Sequence, residues 1–400
     1  MLTHTEMEMI RATAPVLKEQ GFAITSYFYT ELFKKHPELK NIFNVTHQQS
    51  GTQPQALANA VYAVAVNIDQ LENLLPAVRH IAHKHRSLGV KPSQYPVVGK
   101  YLLLAIQEVL GDDASPEIIH VWGKAYQILA DLFIQIESEM YKEARALWAE
   151  EFIPARVIRK EVECLDTVSF YLRPIGVNDF RAMFKSGQYI SVRIRPQGSE
   201  YLQIRQYSLS DLPGKDYYRI TVKRERGGDK VPNGVISNHL QDKIQIGDQI
   251  EMSAPAGDFY VDQTHENTLY LISGGVGLTP MQSILKEVTR TQPNRKIIYV
   301  HSSQNENVHA FRNELQQIVA QYPQVERYIN YDKKMDPKTS VEHVGKLDLT
   351  KLPQGLDPNA DYYLCGPKGF MKTMIEQLTS ARIPLEQIHY EFFGPSEALK

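Results

Sequence analysis

In LYLISGGVGLTPMQSIL, residues 269–285, an apolar strand-like run meets Gly274, Gly275 and Gly277 and then turns helical in period. Glycines without a Cβ let a ligand approach the backbone, and a helix start offers unpaired N–H groups to a pyrophosphate. Thr279 is expected to cap this helix, with Pro280 at its first position and Gln282 completing a T-x-x-Q capping box. The spacing departs from the G-x-G-x-x-G fingerprint, since Pro280 stands where the third glycine would be. Alone, the cluster reads equally well as a plain strand-to-helix turn.

Outward from it, DYYLCGPKGF (361–370) ends a second apolar run on the same kind of Gly–Pro loop. KIIYVHSS and VERYINYD are further buried-type strands, alternating with helical stretches such as TPMQSILKEVTR and FRNELQQIVAQY. The pattern predicts an α/β domain with a mostly parallel sheet over residues 265–400. Ligands bind at the carboxyl ends of such strands, so the two loops are expected to line one crevice. Upstream, FIPARVIRK, TVSFYLRPI, GQYISVRI, RQYSLSD, DYYRITVKRE and GDQIEMSA alternate with period two between Gly, Pro and Asp. They predict a small antiparallel β-barrel over residues 150–262.

Residues 1–147 carry helical patterns only, giving an all-α domain. Helices are expected at about 5–20 and 22–35, from Pro54, up to His85, over 93–110 and over 117–147, with Ser115 as a cap before Pro116. The chain is therefore multidomain: all-α, then barrel, then α/β. A formal charge of −2 with 42% hydrophobic and 22% charged residues gives no reason to expect nucleic acid or an anionic membrane as partner. No apolar run approaches the roughly 18 residues of a membrane span. The start, MLTHTEMEMI, lacks the charged and apolar regions of a signal peptide, and Cys164 and Cys365 match no metal-ligand spacing. A reduced, cytoplasmic location is expected.

Two short stretches carry candidate chemistry. In IRQYSLSD (204–211), Arg205 can clamp a pyrophosphate, Tyr207 can lie against a flat ring and Ser208 can bond a ring nitrogen. An ordinary strand with alternating faces has the same pattern. In IAHKHRSLGV (81–90), His83 and His85 point about 200° apart on a helix, so they cannot chelate one ion together. Ile81, Val78 and Leu74 share the face of His85, whereas His80 and His83 fall beside Arg79, Lys84 and Ser87 on the side expected to be wet. His85 alone is aimed inward, as a core histidine or as a metal ligand.

Joined together, R-x-Y-S in a barrel and then G-G-V-G-x-T-P and C-G-P in an α/β domain resemble the ferredoxin–NADP reductase family. The resemblance implies FAD on the barrel and NADH or NADPH on the α/β domain. It sets Tyr189, Arg205, Gln206, Tyr207 and Ser208 around the flavin, with GVISNHL (234–240) as the flavin-pyrophosphate helix start. Gly274, Gly275, Val276, Gly277, Leu278 and Thr279, with Cys365, Gly366 and Pro367, match nicotinamide-nucleotide positions. Glu391, Phe392, Phe393, Gly394 and Pro395 resemble the segment covering the flavin ring.

With the helical domain in front, the whole chain resembles bacterial and yeast flavohaemoglobins. That implies a globin carrying haem b, with His85 as the proximal iron ligand and Phe43 as the corner phenylalanine on the porphyrin. Tyr29 corresponds to the pocket tyrosine that donates to iron-bound oxygen, and Gln53 and Leu57 to the distal-side residues. Tyr95 and Glu137 match the pair that hydrogen-bonds behind the proximal imidazole, which makes the imidazole a stronger donor to iron. Lys84 matches a lysine credited, along with the residue at Glu391, with tuning the haem and flavin potentials. The implied activity is nitric oxide dioxygenase: NAD(P)H reduces FAD, FAD reduces haem iron, and O₂ held there oxidises NO to nitrate. An oxygen-binding or sensing globin, or an NAD(P)H-dependent flavin reductase of other acceptors, are the alternatives. O₂ and NO are the expected small-molecule partners of a monomer, with no obligatory membrane, and the apolar haem pocket is a candidate site for lipid or azole-like ligands.

Overall fold

The computed structural model describes residues 2–43, 51–145, 147, 151–228 and 233–394. The chain packs as two units, Met1–Phe152 with Arg193–Ile204, and Ile153–Val192 with Arg205–Gly394.

The first unit is built on α1 (His4–Ala12), α2 (Ala14–Lys35), α3 (Thr52–Val66), α4 (Leu75–Leu88), α5 (Tyr95–Leu110) and α6 (Pro116–Arg145). Thr3 and Glu6 cap α1 reciprocally, through Thr3 N–H to Glu6 Oε2 at 2.7 Å and Glu6 N–H to Thr3 Oγ1 at 3.3 Å. The first helix break falls at Thr13, not near residue 21 as the sequence pattern suggests. Pro15 fits only a first helical turn, so α2 starts there and runs straight through Gly21. A Cβ at Gly21 would lie 3.2 Å from the Ala58 Cβ, so this glycine serves the close crossing of α2 and α3 instead of ending a helix. Ile10, Ile24, Phe28, Leu32, Ala65, Leu102 and Ile106 form the buried centre, each large side chain contributing roughly 1.5–3 kcal/mol. α4 ends where Gly89 takes the left-handed conformation, φ 77°. Ser115 caps α6 as expected, its Oγ accepting from Ile118 N–H at 3.3 Å.

The barrel strands, which lie mostly in the second unit, are β1 (Phe152–Cys164), β2 (Thr167–Pro174), β3 (Tyr189–Ile194), β4 (Gln203–Ser208), β5 (Tyr218–Lys223) and β6 (Gln249–Ser253). They form one sheet in the order β4-β3-β6-β1-β2-β5. Its two edges meet where Leu209 bridges Ile220 and Ser210 N–H donates to Arg219 O at 2.9 Å, which closes the sheet into a barrel. Helix α7 (Val235–Lys243) follows β5 in sequence.

Beyond it, β7 (Leu269–Gly274), β8 (Ile297–Ser303), β9 (Val325–Tyr331), β10 (His343–Val344), β11 (Asp361–Cys365) and β12 (Ile388–Glu391) form a parallel sheet ordered β10-β9-β8-β7-β11-β12. Helices α8 (Leu278–Thr291), α9 (Arg312–Gln321) and α10 (Lys368–Ser380) connect the strands. Every residue of β7, β8 and β11 is buried, because both sheet faces are covered, and this is why these strands read as mainly apolar runs without alternation. The edge strands β10 and β12 went unpredicted: one is two residues long, and the other, IHYE, is half polar. No helix among the described residues is long and apolar enough to cross a membrane.

Candidate functional site

The helical unit holds a polar triad in an apolar setting. His85 lies on α4, Tyr95 opens α5 and Glu137 lies on α6. Tyr95 O–H donates to Glu137 Oε1 at 2.6 Å. His85 Nδ1 sits 2.9 Å from that oxygen and 3.0 Å from the Tyr95 oxygen. With the tyrosine proton committed to the carboxylate, both neighbours of Nδ1 are acceptors, so Nδ1 carries the imidazole hydrogen. The lone pair is then on Nε2, which has no hydrogen-bond partner among the described residues.

Packing fixes this geometry. Phe133, one turn before Glu137, stacks on Tyr95 at 6.1 Å and 26° and lies 5.5 Å from the imidazole. Tyr126, three turns before Glu137 on the same face of α6, donates to the Tyr95 carbonyl at 2.6 Å. Its ring occupies the space a side chain at Gly99 would need, 2.4 Å from an added Cβ. Glu137 is 2% exposed, and its Oε2 has no hydrogen-bond partner among the described residues. Burial, and then the Glu137 charge, push the Tyr95 phenol far above its ordinary pKa, so it stays a donor.

His85 is a single donor: no group of three His, Cys, Asp or Glu among the described residues could hold a metal ion. A fixed tautomer with Nε2 open and the ring 31% exposed suits an ion that brings its other ligands with it, as porphyrin iron does. The residues present fit haem. On the same helix Lys84 is half-buried. Ser87 is fully buried, contrary to the wet side expected for it; its Oγ donates back to Lys84 O at 2.8 Å, so it needs no water.

Tyr29, on α2, is 7% exposed within an aromatic cluster. Phe33 stacks on it at 5.7 Å, and Phe43 meets it edge-on at 5.7 Å. Thr25, one turn earlier, donates to Pro54 O at 2.8 Å and ties the first turn of α3 to α2. Gln53 and Leu57 lie half-buried on that part of α3. Sequence reasoning missed Thr25, whose role depends on a carbonyl 29 residues away.

In the second unit, β4 presents Arg205, Gln206 and Tyr207 half-buried and Ser208 buried. Gln206 Nε2 donates to Ser191 Oγ at 3.2 Å. Burial raises the pKa of the Tyr207 phenol, opposed by the Arg205 charge, and burial lowers that of the Arg205 guanidinium. Tyr189 bonds Ala256 in both directions, at 2.9 and 2.8 Å.

The two glycine loops meet. A Cβ on Gly277 would fall 2.2 Å from the Cys365 carbonyl oxygen, and one on Gly366 would fall 3.1 Å from Gly274 N. Phe370 packs over Gly274 and Gly366. These glycines therefore let one loop lie on the other. A cleft of 290 Å³ opens beside them, lined by Gly274, Gly275, Val276, Leu278, Thr279 and Pro367. Its far wall is unpredicted: Thr167, Thr221 and Lys223 come from the barrel, and Ser302, Ser303 and Asp332 from the ends of β8 and β9. Only tertiary pairing assembles that wall.

The expected capping box does not form. Gly277 is the N-cap of α8, because a tight turn over Gly275–Gly277 runs directly into the helix. Thr279 is left to bond Val276 O at 3.0 Å, and Gln282 to bond Glu314 Oε2 at 2.8 Å. Cys365 is fully buried, its thiol pKa pushed up by burial and then by the charge of Glu391, its register partner on β12. Phe392 and Gly394 follow half-buried and Phe393 exposed, while Pro395 lies outside the described residues.

Three family models match in succession: Globin over residues 26–132, Oxidoreductase FAD-binding domain over 154–260, and Oxidoreductase NAD-binding domain over 271–376. A globin followed by FAD- and NAD-binding modules defines an oxidoreductase that uses haem, FAD and a nicotinamide nucleotide. The flavohemoprotein of Bacillus subtilis is 46% identical over 407 residues, covering 100% of this chain and 99% of that protein. That of Rhizobium meliloti is 46% identical over 406 residues, covering 99% of each. The chain belongs to the flavohaemoprotein family. Among solved structures, the Malassezia yamatoensis flavohaemoglobin, with bound FAD and haem, has a TM-score of 0.87 at 29% identity over 98% of this chain and 100% of its own. The FAD/NAD-binding domain of nitric oxide dioxygenase from Vibrio cholerae has a TM-score of 0.56 at 35% identity, covering 62% of this chain and 100% of its own.

Proposed function

We propose that this chain is a nitric oxide dioxygenase, converting two NO and two O₂ to two nitrate per NAD(P)H with release of one proton. The observation that carries the reading is the His85–Tyr95–Glu137 triad, with Nδ1 bonded to a buried carboxylate and Nε2 open. When bound, the three cofactors supply hydride from the nicotinamide, single electrons from the flavin and oxidation of NO by O₂ at the haem iron. The relative from Vibrio cholerae, which carries the dioxygenase name, supports the assignment.

The chain's residues do the rest. Glu137 accepts the Nδ1 hydrogen and enriches the Nε2 lone pair, which favours activation of O₂ over its storage. Tyr29 offers its hydroxyl as donor to the oxygen substrate, while Phe33, Phe43 and Leu57 keep water away from it. Arg205, Tyr207 and Ser208 hold the flavin. The loops at Gly274–Thr279 and Cys365–Pro367 take the nicotinamide nucleotide, its pyrophosphate near the start of α8. Anaerobic stopped-flow tests the reading. NAD(P)H should reduce flavin first and haem next, and O₂ with NO should then give nitrate in the stated ratio. Electrons that stall on the flavin would make the chain a flavin reductase of other acceptors.

A further inference from the structure

A ring of four charges joins the barrel to the α/β domain inside the second unit. Asp211 lies three residues past the end of β4, Arg219 on β5, Lys286 on α8 and Glu314 on α9. Lys286 Nζ lies 2.7 Å from Asp211 Oδ1 and also pairs with Glu314 Oε1. Arg219 lies 3.3 Å from Glu314 Oε2 and 4.0 Å from Asp211 Oδ2. The side chains of Arg219, Asp211 and Lys286 are 4%, 10% and 14% exposed, and that of Glu314 28%. Two positive and two negative groups thus balance, and each faces both opposite charges.

Hydrogen bonds extend the ring in two directions. Ser283 Oγ, on α8, donates to Asp211 O at 2.7 Å, and Gln282 Nε2 donates to Glu314 Oε2 at 2.8 Å. Arg219 Nε donates to Ser210 Oγ at 3.1 Å, and that hydroxyl lies 2.8 Å from Thr221 Oγ1 in the wall of the cleft. Helix α8 begins at the glycine loop, and Asp211 follows the strand bearing Arg205–Ser208. The ring therefore ties the nucleotide loop's helix, about two turns past its start, to the segment that follows the flavin strand.

Burying ion pairs is a weak source of stability, because desolvation offsets the attraction; what they add is registry, since a shifted partner leaves a charge buried and alone. We infer that Asp211, Arg219, Lys286 and Glu314 are positioning residues for hydride transfer, fixing the approach of the nicotinamide loop to the flavin strand. The inference rests on the proposed function for those two elements. A misplacement of about 1 Å at a reacting centre is worth up to roughly a hundredfold in rate.

The test uses the full-length, FAD-loaded protein and the variant Lys286→Gln/Glu314→Gln, which stays neutral and keeps the Asp211–Arg219 pair. Flavin reduction is followed by anaerobic stopped-flow with NADH and with NADH deuterated at C4. We expect the limiting rate to fall about ten- to a hundredfold, with an altered isotope effect and a weaker nicotinamide–flavin charge-transfer band, at unchanged FAD content and NAD⁺ affinity. Lys286→Arg should restore most of the rate. Glu314→Gln, at the most exposed corner, should shift the same readouts less and serves where the double variant loses FAD. A limiting rate within twofold of the parent, or a loss that only tracks FAD content or nucleotide affinity, overturns the inference while leaving the proposed function standing. A parent flavin that neither NADH nor NADPH reduces overturns both.

Discussion

Replacing Glu137 by Gln and Tyr95 by Phe separates two roles of one hydrogen-bond network. Glu137 is buried, and its Oε1 takes the Tyr95 and His85 donors while Oε2 has none among the described residues. Tyr95→Phe leaves the buried carboxylate with the imidazole alone, so a charge-assisted bond worth about 1.5–3 kcal/mol is lost. For a unit of this size each kcal/mol lowers the melting temperature by roughly 2–4 °C. Glu137→Gln also weakens that bond, but it removes a buried charge, and relief of desolvation offsets the loss, so stability should change by under about 1 kcal/mol. The imidazole suffers instead. Without a carboxylate on Nδ1, Nε2 is a poorer donor, and losing such a partner typically costs about 10–100-fold in metal affinity. Thermal melts of the full-length apoprotein and haem transfer to excess apomyoglobin measure the two effects. Tyr95→Phe should melt lower, whereas Glu137→Gln should melt near the parent and release haem faster, with a softened iron–histidine stretch in the Raman spectrum. If Glu137→Gln melts well below the parent yet keeps haem and the stretch unchanged, the carboxylate is a packing element and the donor argument fails.

Three further outcomes are expected. Tyr29→Phe should speed O₂ release about tenfold, the worth of one hydrogen bond of roughly 1.4 kcal/mol, measured by flash photolysis; unchanged kinetics would remove the hydroxyl from the reaction. Gly277→Ala puts a methyl 2.2 Å from the Cys365 carbonyl, so nucleotide affinity and melting temperature should both fall; the control Gly369→Ala, with nothing within 4 Å, should affect neither adversely. His309 is buried beside His301 and held to a pKa of about 3 by burial and by the Arg312 and Arg327 charges. Folding therefore favours its neutral form. Its stabilisation is complete above about pH 6.5 and is lost toward pH 3, at roughly 1.4 kcal/mol per pH unit. Urea midpoints from pH 7 to 5 should fall less steeply in His309→Gln, and identical slopes would contradict the assignment.

The strands of the barrel and the central strands of the parallel sheet were legible because period and burial agree: β7 and β8 are buried on both faces and read as mainly apolar runs without alternation. Helix ends were less so. Gly21 resembles a breaker until Ala58 is seen against it, and Thr279 resembles a cap until the turn over Gly275–Gly277 takes that place. His85 was singled out by helix geometry, but its chemistry depends on Glu137, 52 residues later, which no local pattern connects to it. Tyr126, Thr25 and the charge ring share that limit. Each acts on a backbone atom or an ion brought near only by folding.

The stacked glycines have a consequence for how such a chain can change. Where Gly277 rides on the Cys365 carbonyl a side chain collides with main chain, and at Gly366 it collides with the Phe370 ring and crowds Gly274, so this floor resists substitution. Ser302, Ser303 and Asp332 stand at strand ends around the same cleft and carry no such constraint. Drift in coenzyme choice is thereby channelled to the rim, leaving the floor as an inherited fixture.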